Sequence, residues 1–205
     1  MKAKSNLLKA AMASSLGIAL CASLPANAES TTVTGNGALS TTAHVDFSVV
    51  IPRFLSFRVG TAGAGNIDLI TFTVLAANVG NATPVAGVGG DVGGGAENVV
   101  VKGNGGQITI TETNSSGGLG LQNGAGDTIP YSQITTASSD AANLPAPVLS
   151  NAASNTAQPV LNAGNVTNRS AVWTYAYANG AIVGAGTYGG VNTNGGRVTY
   201  TASMP

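Results

Sequence analysis

The side chains in this 205-residue sequence that could do chemistry are few and widely spaced. His44 is the only histidine, and it stands two residues before Asp46. Residues i and i+2 of a strand point to one face, so this pair could begin a catalytic or metal-binding constellation. The rest of such a constellation is missing. A transition-metal site calls for further imidazole or thiolate ligands, and a triad needs a marked nucleophile beside the base. The pair therefore reads as the polar face of a strand whose other face carries Val45 and Phe47. The carboxylates stand singly along the chain. Glycoside hydrolysis needs two of them facing each other across a cleft. Asp68 with Glu112 is one such pairing, and the alternative is ordinary surface charge.

Two further stretches invite a chemical reading. The glycine-rich "GVGGDVGGG" around Asp91 has the look of a phosphate or calcium loop. A phosphate loop ends in Lys followed by Ser or Thr, and a calcium-binding repeat needs many periodic copies; neither is present. Trp173, Tyr175 and Tyr177 alternate along one face of "SAVWTYAYA". They form either a sugar-stacking platform or, more in keeping with an aromatic stripe on a strand, part of a core. No catalytic, cofactor-binding or metal-binding residue is assigned from the sequence, no cofactor is implied, and no enzymatic role is expected.

The elements that must carry these residues are strands. "AHVDFSVVI" puts Ala43, Val45, Phe47, Val49 and Ile51 on one face before Pro52 interrupts, and "RFLSFRV" resumes. Proline cannot donate to a ladder, so Pro52 marks a bend or an edge. "IDLITFTVL", "GQITITET", "SAVWTYAYA" and the terminal "RVTYTAS" alternate with period two, "IPYSQI" is a weak candidate, and the apolar run in "ENVVVK" suits a central strand. Five Asn-Gly pairs, at Asn36, Asn104, Asn123, Asn179 and Asn194, suit turns with positive φ. Short strands with frequent turn signals predict an all-β fold, an immunoglobulin-like antiparallel β-sandwich. Long loops are expected near 80–96 and 135–169. The second holds an echo, "PVLSNA" from Pro147 and "PVLNAG" from Pro159, which could form two short edge strands.

The chain opens like an exported protein. Lys2, Lys4 and Lys9 precede an apolar run from Ala10 to Leu24, and "ANA" ends at Ala28. This is the pattern of a cleaved secretory signal peptide over 1–28, and the run is too short for a membrane span. Cys21 follows Leu20 rather than the small residue that precedes a lipid-accepting cysteine. The remaining 29–205 form a single expected domain, with a leader over 29–42 as a possible donor strand and the sandwich over 43–205. Five basic and eight acidic groups leave that part near −3, which is no footprint for nucleic acid. It contains no cysteine, so packing and strand pairing must supply its stability.

Its two ends resemble those of a known family. "AGTYGG" at Ala185–Gly190, followed by the terminal "GRVTYTAS", is similar to the closing hairpin of bacterial pilus subunits of the chaperone–usher type. The signal peptide, the leader and the Thr/Ala/Asn/Gly/Val-rich composition are similar too. The resemblance implies a sandwich lacking one strand, lent first by a periplasmic chaperone and then by the next subunit. Val33 and Leu39 would be the inserted side chains, and the last strand, with Val198, Tyr200 and Ala202, would meet the chaperone. The partners implied are copies of the chain and that chaperone; the location implied is the periplasm and then the cell surface. The alternative reading is a self-contained extracellular β-sandwich that binds carbohydrate or another surface protein.

Overall fold

A computed structural model of the chain describes residues 31–63, 65–151 and 154–205. The expected signal peptide lies outside the described residues. The chain divides into two compact units between Val50 and Ile51, later than the expected boundary at 42/43. The second unit is all-β, built of several antiparallel sheets, and its helical content among the described residues is two single 3₁₀ turns, Ala76–Asn78 and Tyr131–Gln133.

The largest sheet forms around the most apolar run. Strand β5 (Ala96–Gly103) is flanked on one edge by β1 (Leu55–Val59) and on the other by β11 (Thr167–Tyr177). It is the central strand that its sequence predicts, and Val99 and Val101 are completely buried. β11 receives β9 (Ile134–Ser138) on its far edge, while β3 (Val85–Ala86) continues the line of β5. A second sheet places β6 (Thr109–Asn114) between β10 (Asn155–Ala157) and β12 (Val198–Ser203). Two small ribbons complete the set: β2 (Ile70–Thr71) with β4 (Val88–Gly89), and β7 (Leu121–Gln122) with β8 (Thr128–Ile129).

Period-two alternation becomes burial wherever the strands are paired. On β11 the residues Ala171, Trp173, Tyr175 and Tyr177 are buried, so the aromatic stripe is core and not a platform. Trp173 meets Tyr200 of the second sheet edge-on at 5.3 Å between ring centres. The Tyr175 and Tyr200 hydroxyls lie 3.1 Å apart, within hydrogen-bond distance. Such pairs bind the two sheets through both ring contact and a satisfied polar tip. Ile108 and Ile110 fill the same core.

Several expected elements differ. Residues 43–51 form no strand. Of "IDLITFTVL" only Ile70 and Thr71 pair, since β4 opposite is equally short. Neither copy of the Pro-Val-Leu echo is a strand, although each buries its proline fully and exposes its valine. Of the five Asn-Gly pairs, Asn194–Gly195 is the one in which both residues have positive φ, at 49° and 70°. Gly196 N–H closes that turn on the Thr193 carbonyl at 2.8 Å. A side chain at Gly195 would stand 2.6 Å from the Gly120 carbonyl oxygen, so close approach as well as φ demands glycine.

Candidate functional site

Residues 38–54 form no helix, strand, turn or bend. This stretch lies bare to solvent. Phe47 is 90 % exposed, Val45 74 %, Val49 83 % and Ile51 74 %. An isolated exposed apolar residue needs no explanation, but a contiguous row of large ones marks a contact surface. These residues alternate with His44, Asp46, Ser48 and Val50, so one face of the run is almost wholly apolar. His44 and Asp46 sit on its other face, outside any sheet. Val33 and Leu39, the side chains implied as donors, are also exposed, with the Leu39 side chain folded toward Gly35. Sequence reading missed the better candidates: it took Val45, Phe47, Val49 and Ile51 for the first core strand. Their alternation was visible, but their exposure was not.

The second unit presents two sheet edges. Among the described residues β12 pairs with β6 alone, so its outer row of N–H and C=O groups meets no strand there. β1 likewise pairs with β5 alone. The two strands touch, and at one end Phe54 and Met204 both close on Gly103, at 3.3 and 3.2 Å from where its Cβ would be. The inner face of β1 is incompletely covered. Leu55 is exposed, and Phe57 and Val59 are half-buried although they pair with the fully buried Val101 and Val99. On β12, Val198, Tyr200 and Ala202 are half-buried toward the core, while Thr199, Thr201 and Ser203 face water. Tyr200 is therefore committed to Trp173 and Tyr175 rather than free for a partner; the backbone edge, not this side chain, is what β12 offers. An unpaired edge of this kind is a template for an added strand.

Asp68 and Glu112 are not the pair that converges. Asp68 accepts from Thr61 N–H at 2.6 Å and Thr61 Oγ1 at 2.8 Å, which lowers its pKa, and its carboxyl stands beside that of Glu97 at Gly60. Glu97, hidden in the run that reads as apolar, is buried on the inner face of β5, and burial pushes its carboxyl up to about 7. Glu112 is completely buried on β6, opposite Asn155 and Tyr200 across the sheet. Its Oε1 accepts from Asn114 Nδ2 at 3.2 Å, while Oε2 and the nearby Asn155 Nδ2 are buried with no partner among the described residues. Burial raises its pKa as well. A surface cleft of about 340 Å³ between Leu119 and Thr128 contains one carboxylate, Asp127, which is engaged by Asn123 at 2.9 Å. None of these arrangements places two carboxylates across an open cleft. Among the described residues no group of three or more His, Cys, Asp or Glu side chains is disposed to hold a metal ion, and no helix is long and apolar enough to cross a membrane.

No protein-family model, no curated protein and no solved structure matches this chain.

Proposed function

We propose that this protein is a non-enzymatic, exported structural subunit of a surface fibre. In this reading it is an immunoglobulin-like β-sandwich whose copies join by strand exchange, with a periplasmic chaperone covering the open edge before assembly. The observation that carries the reading is the apolar row Val45, Phe47, Val49 and Ile51, exposed to solvent and outside any strand. The acceptor is the edge of β1 in another copy, which pairs with β5 alone and where Leu55, Phe57 and Val59 are under-covered. The energetics favour this run over the leader at 29–42. Full burial of one large apolar side chain contributes about 1.5–3 kcal/mol. Four such side chains outweigh the two that Val33 and Leu39 supply, and added main-chain pairing fixes the register. The carbohydrate-binding alternative loses its support, because Trp173, Tyr175 and Tyr177 are core.

Light scattering after size exclusion tests the reading on the protein exported to a bacterial periplasm. The expected result is a ladder of oligomers that Phe47→Asp collapses to single chains, and that a synthetic peptide of residues 43–51 competes away. A wild-type protein that stays a stable single chain, with the 43–51 amides protected from exchange at home, would overturn it.

A further inference from the structure

The acid pair at the end of β1 has a different consequence. Gly60, at φ 77°, leaves a space that two carboxyl groups fill: a Cβ there would stand 2.3 Å from Asp68 Oδ2 and 2.6 Å from Glu97 Oε2. The donors around them are accounted for. Thr61 N–H and its hydroxyl serve Asp68, and the Asp91 N–H serves Glu97 Oε2 at 3.1 Å. What is left is the approach of the Asp68 and Glu97 carboxyls to each other beside Gly60; such a contact joins two groups that, when ionised, can only accept. It is a hydrogen bond only if one carboxyl keeps its proton.

We propose that Glu97 and Asp68 share one proton, and that this proton latches the loop after β1 to the head of β5. Among the described residues, the elements packed around Glu97 offer no compensating cation. From the loop before β5 comes Asp91, whose carboxylate is itself held by Asn98 N–H at 2.7 Å and Asn98 Nδ2 at 3.1 Å. From the loop after β1 comes Asp68. From β11 come Trp173, directly opposite, and the phenol of Tyr175. Arg58 pairs with Val100, so it shares the outer face of the sheet with Lys102, away from Glu97. Arg169, further along β11, commits its guanidinium to the Val160 and Leu161 carbonyls. Ionising Glu97 therefore sets its charge against Asp68 at Gly60 and against Asp91, whose N–H it accepts from. The backbone tie that remains is Gly60 N–H to the Asn98 carbonyl at 2.9 Å.

The sign follows from where the proton sits. Desolvation raises Glu97, to about 7, while the Thr61 donors lower Asp68, so the proton belongs to Glu97. A carboxyl raised in the folded state stabilises fully below its unfolded range and loses that contribution as pH rises through its folded value. The latch is closed in acid and opens above neutrality, freeing the loop beside the edge strand β1. It is internal to one chain and holds whether or not copies assemble.

Carboxyl ¹³C NMR on the wild-type protein tests it directly, together with amide exchange at Thr61. Glu97 is expected to titrate near neutrality, with Thr61 protection falling as pH rises from the ordinary carboxylate range to that midpoint once intrinsic exchange is removed. Between the ordinary carboxylate range and the Glu97 midpoint the equilibrium for closing should fall by about tenfold per pH unit, and it should level off above that midpoint. In Glu97→Gln the amide donates to Asp68 at every pH, so Thr61 protection should become flat over this range. Titration of Glu97 in the ordinary carboxylate range would overturn the proposal even if the variant did not fold. So would a Glu97→Gln protein that keeps the wild-type pH slope.

Discussion

Residues 43–51 and 197–203 carry the same pattern and meet opposite fates. In "AHVDFSVVI" and in "RVTYTAS", apolar and polar residues alternate, and each stretch reads as one half-buried strand. β12 has β6 beside it and Trp173 and Tyr175 beneath it, so its apolar positions sink into the core. The upstream run belongs to no strand, and its apolar positions stand in water. Alternation thus states which face wants burial and says nothing about who buries it. A strand is a relation between two segments, since its ladder and its covered face both come from a partner.

The strongest way to break this comparison is to truncate one residue from each region. Trp173→Ala, beneath β12, should cost about 3–5 kcal/mol of stability by denaturant unfolding, as expected for a large aromatic removed from a packed core. Phe47→Asp should leave the stability of the single chain within about 0.5 kcal/mol, as exposed substitutions do, while abolishing association seen by light scattering. Equal losses of stability would mean that residues 43–51 are buried in their own chain, and the two regions would not differ. A smaller effect sharpens the β12 side. Tyr200→Phe keeps the ring against Trp173 and removes the hydroxyl near Tyr175, and should cost about 1 kcal/mol. The smallest is Thr201→Ser on the water-facing side of β12, where a change below about 0.5 kcal/mol is expected.

The two buried glutamates make a related pair. Glu97 has a neighbouring carboxyl with which to share a proton, whereas Glu112 has Asn114 and the unpartnered amide of Asn155. Both carboxyls are raised by desolvation, so both should cost stability as pH rises. Glu112→Gln should flatten part of that slope without altering exchange at Thr61, which separates the two sites.

Much of the β pattern was legible in the residues themselves. "RFLSFRV", "ENVVVK", "GQITITET", "SAVWTYAYA" and "RVTYTAS" all correspond to strands, because alternation or an apolar run is a local consequence of one or two buried faces. The central place of β5 could be read from the apolar run Val99 to Val101, although its outer face, with Asn98 and Lys102, is only partly covered. Glu97 was hidden by that same run: a single acid at the edge of an apolar stretch looks like a strand end, and its partner Asp68 lies 29 residues away in sequence. What tertiary structure alone decided is which strands find neighbours. It joined Glu97 to Asp68 rather than Asp68 to Glu112, committed Tyr200 to the core, and left Phe47 in solvent. Local sequence sets the face a segment must hide, because side-chain direction follows backbone period; long-range pairing sets whether the chain itself can hide it.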